Sequence, residues 1–227
     1  MQHKTAEIRI IVPVRNESSD IQQLLDVLQP FSKQVVLVDG ESSDDTVVRC
    51  EQLGFAVLHG LPGRARQMNA GARNQEADVY WFLHADCLPP ADALKQIHQS
   101  IQRGYQWGRF NVRLTGRQVM FRLIERLMNW RSCLTQVATG DQGIFVSRRL
   151  FESVGGFPEM PLMEDVAICK LLRKHGRGAC LPTELSVSSR RWENGGIFRT
   201  IMLMWWLRLR YVMGTSPADL HRDYYGQ

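Results

Sequence analysis

Apolar residues along the first hundred positions come in short bursts, and each burst ends in a small polar cluster. Ile8 to Val14 is a mostly β-branched run of strand length, and "RNESSD" then supplies Ser and Asp residues to cap the amphipathic helix "IQQLLDVLQ". The alternation returns as a buried strand from Gln34 to Val38, with Asp39 at its carboxyl end and "ESSDDT" capping a helix through Leu53. "FAVLH" and "DVYWFLHAD" predict a third and a fourth strand, leading into the helices "GRARQMNAGARN" and "ADALKQIHQSIQ" respectively. Strands alternating with helices imply an α/β class with a doubly wound, mainly parallel sheet flanked by helices. Ligands of such sheets sit beyond the carboxyl ends of the strands, where Asp39 and Asp86 both fall.

Past about residue 106 the rhythm changes. "WGRFNVRL" predicts a strand, "QVMFRLIERLMNW" an amphipathic helix, and "GDQGIFVS" a strand opening on a Gly turn. "EDVAICKLLRKHG" predicts a helix with two acids in its first turn and basic residues near its end, as the macrodipole favours.

The 227 residues suit one domain with a substantial core. At 44% hydrophobic and 22% charged, the composition excludes a disordered chain. A formal charge of +5 favours phosphorylated ligands or an anionic membrane face. Without a long basic block or a nucleic-acid module, nucleic acid is set aside as a partner. Five cysteines, an odd count with no CxxC pair, argue against a disulfide framework and a structural zinc, and for a reducing cytosol. The start "MQHKTAEIRIIVPV" lacks the apolar region of a signal peptide, so a cytoplasmic location is expected.

Candidate chemistry gathers at the polar clusters, and each candidate has a plain structural rival. Asp39 either faces a ligand or satisfies backbone donors beside a helix start. Arg64 and Arg66, at a strand-to-helix junction, suit a diphosphate or form a solvated face. Asp86 offers hard oxygen to Mg²⁺ or Mn²⁺, or caps the turn before Leu88-Pro89-Pro90. Glu164 and Asp165, about 100° apart on a helix, serve different tasks or only the helix dipole. Arg190, Arg191 and Trp192 suit a leaving phosphate and a stacked ring, or are surface arginines beside a partly buried indole. No GxGxxG or Walker-type loop is present.

Together, "PVRNE", "VDGESSDDT", "GRARQMNAGA", "FLHAD", "GDQGIFV", "GGFPEMPLMEDV" and "SSRRWE" resemble the family 2 type of inverting glycosyltransferase, with a GT-A-like, Rossmann-like fold, along nearly the whole chain. More narrowly they resemble a bacterial subfamily labelled arsenosugar biosynthesis glycosyltransferases. The resemblance implies a nucleoside-diphosphate sugar donor, a hydroxyl acceptor and a divalent metal, Mg²⁺ or Mn²⁺. Pro13, Glu17, Asp39, Arg66 and Asp86 would hold the nucleotide sugar, Asp86 also binding the metal, and Asp165 would be the catalytic base with Arg191 beside it. Asp141, Glu164 and Trp192 would lie on the acceptor side. Within a single domain, 1–227, residues 1–105 would form the nucleotide-sugar half and 106–227 the acceptor and catalytic-base half.

The chain departs from the family at the metal motif, where His84 stands in place of the first Asp of Asp-x-Asp. His84 either coordinates through a neutral nitrogen or is a satisfied polar neighbour of a strand end. Two other functions stay in view: a sugar-phosphate nucleotidyltransferase, against which the order of the Glu-Asp and Arg-Trp elements argues, and, because of that departure, a catalytically silent nucleotide-sugar-binding protein associated with membranes. "IFRTIMLMWWLRLRYVM", Ile197 to Met213, is too interrupted by arginines to span a bilayer. It and the stripe Val119, Met120, Leu123, Ile124, Leu127 and Met128 suit an interfacial helix at the inner face of the membrane, or packing against the sheet or another subunit.

Overall fold

The computed structural model describes residues 6–226, with the backbone alone for Arg191 and Asn194. Among the described residues, eight strands form one sheet: β1 (Ile8–Val14), β2 (Val35–Asp39), β3 (Ala56–His59), β4 (Val79–Phe82), β5 (Cys87–Leu88), β6 (Trp107–Leu114), β7 (Phe145–Ser147) and β8 (Ala179–Val187). Their order is β3-β2-β1-β4-β7-β6-β8-β5. The helices are α1 (Ile21–Leu28), α2 (Thr46–Gln52), α3 (Arg64–Asn74), α4 (Ala93–Gln102), α5 (Val119–Thr135), α6 (Arg148–Ser153), α7 (Glu164–Leu172), α8 (Arg190–Gly195), α9 (Ile197–Val212) and α10 (Pro217–Tyr225).

The β-branched run of β1 is buried along its whole length because both faces of the sheet are covered. Ile8, Ile10, Val12 and Val14 join one core cluster with Leu24, Leu25 and Leu28 of α1, while Ile11 joins the opposite cluster with Met68 and Ala72 of α3. β1 runs parallel to β2 and β4, and β2 to β3, as the alternation of strands and helices predicts. Antiparallel pairs enter where that alternation breaks: β7 pairs β4 and β6, and β5 pairs β8. The fold is therefore α/β, with a mostly parallel, curled sheet flanked by helices.

The motif "GRARQMNAGA" docks α3. A Cβ on Gly71 would lie 2.6 Å from Cγ2 of Ile11, so only glycine lets helix and strand approach this closely. Gln67 donates to the Val14 carbonyl at 2.9 Å and the Val38 carbonyl at 2.7 Å, tying together the ends of β1 and β2. Asn69 exchanges two hydrogen bonds with the backbone of Phe157, fixing the "GGFP" loop.

Three expectations change. The Asp20 side chain makes no cap hydrogen bond to α1, because Arg190 claims its carboxylate. β8 was not anticipated, since Pro182 and the charged Glu184 interrupt its apolar pattern. Cys133 and Cys180 are bonded to each other, joining α5 to β8 across 47 residues, which corrects the expectation of unbridged cysteines. The partners lie on a helix and on that unanticipated strand, so spacing carried no hint of the pair, and cysteine usage no longer supports a reducing compartment.

Candidate active site

A cavity of about 490 Å³ opens beyond the ends of β1 and β4, and its walls come from both halves of the chain. Pro13 stands one residue before the end of β1, and Glu17 follows in a loop whose Asn16 adopts a positive φ of 54°. That loop interlocks with the one after β2: Ser43 N–H donates to Asn16 Oδ1 at 2.8 Å, and Glu17 N–H to Thr46 Oγ1 at 2.8 Å. The polar clusters "RNESSD" and "ESSDDT" therefore brace each other and present Glu17 to the cavity.

His84 and Asp86 enter from the turn after β4, and Asp141 from the 3₁₀ turn Gly140–Gln142 before β7. One ligand atom from each of these three lies within 4.8 Å of the others. His84 Nδ1 is 3.4 Å from Asp141 Oδ1. Burial, the largest influence on His84, works to lower its pKa, but the hydrogen bond with Asp141 carries it upward overall. Two carboxylates and an imidazole fit a divalent cation, Mn²⁺ accepting the nitrogen more readily than Mg²⁺. The replacement of the first motif acid by His84 thus leaves a three-donor set, with Asp141 supplying a second carboxylate.

Glu164 and Asp165 open α7 after Met163, which takes a left-handed φ of 70° uncommon for its type. The turn divides the adjacent acids. Glu164 is buried at 4% exposure, while Asp165 stays partly open with Oδ2 accepting from Gly140 N–H at 2.9 Å and Oδ1 from Val166 N–H at 2.6 Å. Burial first and Asp165 second raise the pKa of Glu164; burial first and Asp86 second raise that of Glu17. In both groups the positive charge of Arg64 works against this rise.

The cavity brings together Pro13, Glu17, Asp86, Asp141, Glu164 and Asp165 of the residues expected from sequence. Asp39 is not among its lining residues: it is buried, accepts from Ser42 N–H at 3.2 Å and lies 3.7 Å from His59 Nδ1. Arg66 pairs with Glu159 at 3.3 Å in a separate, smaller hollow, whereas Arg64, two positions earlier and so on nearly the opposite side of α3, lines the main cavity. Trp192 packs against the core, and Arg191 lies outside the described side chains. Arg190 lines the cavity and is held by Asp20 at 2.6 Å. Sequence reasoning missed Arg208 of α9 and Tyr224 of α10, because a lone Arg or Tyr on an amphipathic helix carries no local sign of which site it faces.

The sequence matches the family model described as glycosyl transferase family 2 over residues 9–151, more than half of the 227 residues. The chain belongs to glycosyl transferase family 2. No curated protein sequence matches it. Among solved structures, glucosyl-3-phosphoglycerate synthase from Mycobacterium tuberculosis, in complex with Mg²⁺ and UDP, superposes with a TM-score of 0.61 at 20% identity, over 80% of this chain and 70% of that one. The mannosyltransferase PcManGT from Pyrobaculum calidifontis, in complex with GDP-Man and Mn²⁺, gives 0.62 at 20% identity, over 81% and 57%. S. aureus TarS gives 0.60 at 20% identity, over 81% and 60%. This family 2 chain thus spans less than two thirds of the last two structures, and the likeness to all three is one of fold.

Proposed function

We propose that the protein is an inverting glycosyltransferase that moves a sugar from a nucleoside-diphosphate sugar to an acceptor hydroxyl. One observation carries this reading: a single cavity holds the cation-competent set His84, Asp86 and Asp141 together with Asp165, a carboxylate set at a helix start. Gly140 links the two, standing next to Asp141 and donating its N–H to Asp165. A divalent cation, Mg²⁺ or Mn²⁺, held by Asp86 with His84 and Asp141, would neutralise the donor's diphosphate.

Asp165 takes the proton of the acceptor hydroxyl as that oxygen bonds to the anomeric carbon from the face opposite the diphosphate. The bond between the anomeric carbon and the diphosphate oxygen breaks, its electron pair leaves with the nucleoside diphosphate, and the configuration inverts. Arg64, Arg190 and Arg208 line the cavity where negative charge on the leaving group can be met. Pro13 and Glu17 sit on the donor side with Asp86, and Glu164 on the acceptor side. Residues 1–105 form the donor half and residues 106–227 the acceptor and base half of one domain. An arsenosugar precursor or a related small hydroxyl compound is the acceptor that the motif resemblance supports.

The test is product analysis with UDP- and GDP-sugars: release of nucleoside diphosphate, with the anomeric configuration of the product read by NMR. Asp165→Asn should lower turnover by about a hundredfold to ten-thousandfold while donor binding persists. Turnover unchanged in that variant, retention of configuration, or pyrophosphate release from a nucleoside triphosphate and a sugar phosphate would each overturn the reading.

A further inference from the structure

Two helices on one side of the molecule carry apolar stripes that no other described residue covers. On α5, Val119, Leu123, Leu127, Trp130 and Leu134 are exposed, Val119 at 85% and Trp130 at 66%. At about 100° per residue these positions share one narrow arc, opposite Phe121 and Ser132, which are buried. On α9, Phe198, Met202, Trp205, Leu209 and Val212 form a second stripe, with Trp205 70% exposed. The other side of α9 faces inward: Met204, Leu207 and Arg208 line the active-site cavity. The helices are neighbours, since Met120 and Met128 of α5 and Ile197 and Ile201 of α9 pack against the same core cluster, and the charge of Arg208 reaches Arg131.

The charge pattern says what fits there. α9 contains no acid, and the one acid of α5, Glu125, is buried and paired with Arg122 at 3.0 Å. Arg117, Arg126 and Arg199 border the stripes, exposed, and enter no ion pair among the described residues. We infer that the α5–α9 face docks on the surface of an anionic lipid bilayer. Its Trp, Leu and Phe side chains enter the interface while the arginines meet the headgroups. A second copy packed on this face would find no exposed acid on α5 or α9 to pair with its arginines, so the charge favours lipid over self-association. No helix among the described residues is long and apolar enough to cross a membrane, so the contact is peripheral. With α9 shared between the cavity and the docking face, the bound enzyme works directly at the bilayer surface.

The test is flotation of the full chain with vesicles of phosphatidylcholine alone and with about one third phosphatidylglycerol added. Binding is expected to the anionic vesicles and to weaken in high salt. The double variant Trp130→Gln, Trp205→Gln should partition at least about tenfold more weakly. Arg126→Glu with Arg199→Glu should do the same on anionic vesicles alone. All four side chains are exposed, so an unchanged circular dichroism spectrum checks the fold, and Val48→Glu on α2, outside this face, should bind as wild type. Failure to bind either vesicle, binding that ignores the tryptophan variant, or a dimer in light scattering that this variant dissociates would overturn the inference.

Discussion

A methyl group on Gly140 would stand 2.1 Å from Cε1 of His84 and 2.3 Å from Nε2, far inside van der Waals contact. Glycine at this position lets the imidazole reach Asp86 and Asp141, and its N–H also orients Asp165. Gly140→Ala should therefore weaken Mn²⁺-dependent donor binding at least about tenfold, an effect near 1.4 kcal/mol, as read by calorimetry. Binding equal to wild type would mean that the three donors are not held together by this backbone. Sequence showed here only a Gly turn opening a strand; the pressure on His84 is a tertiary contact across more than fifty positions. Asp86 and the Glu164–Asp165 pair stood out because carboxylates at a strand end and a helix start contrast with apolar runs, whereas Glu17 came only from the family resemblance. The exchange of Arg66 for Arg64 was not, because two arginines on one helix differ only in which way the turn carries them. The three free thiols are the opposite case, invisible in spacing but set by burial. Burial pushes Cys50 up to about 11, Cys169 up to about 12 and Cys87 well above the ordinary thiol range. Native protein at about pH 8 should resist iodoacetamide at all three and react quickly once unfolded; rapid native labelling of any of them, read by mass spectrometry, would contradict their environment.

Arg190, at the start of α8, reaches Asp20, just before α1, and joins segments 170 positions apart beside the cavity. The hydrogen bond from Arg190, and then that from Ser19, hold the Asp20 carboxyl below its ordinary value. A depressed folded value means that the pair adds stability above the ordinary carboxylate range and loses it as pH falls toward the folded value. The side chains are 58% and 35% exposed, so screening limits the gain to at most about 1 kcal/mol. Asp20→Asn should lower the urea midpoint slightly at about pH 7, less in high salt, and leave it unchanged at about pH 2. A loss that persists in acid would mean that the side chain acts through packing instead. Most helices and strands of residues 8–102 could be read from the sequence because each is a local pattern ended by its own turn; the two-residue β5, paired to the distant β8, could not. β8 and the placement of α9 and α10 could not, since their positions depend on β6 and on the cluster of Leu162, Met163, Leu207 and Leu220, contacts with no local signature.

The full sheet explains why the cavity sits where it does. β1 and β4 lie side by side near the middle of the order, and the antiparallel β7 brings Asp141 back to the carboxyl end of β4. The doubly wound reading placed ligands beyond the strand ends that carry Asp39 and Asp86; Asp86 lines the cavity and Asp39 does not, and the far wall comes from α7, α9 and α10 after the repeats stop. On the proposed reading, a donor site drawn from one half of the chain and a base from the other would have to meet at this one cavity, whose walls come from both. The measurement that bears on this most directly is calorimetric titration of UDP- and GDP-sugars with and without Mn²⁺, for wild type and Asp86→Ala. Binding of one donor class that needs Mn²⁺ and disappears in Asp86→Ala is expected. Binding indifferent to both the ion and the substitution would make Asp86 a turn residue, and no binding at all would remove the nucleotide sugar from the cavity.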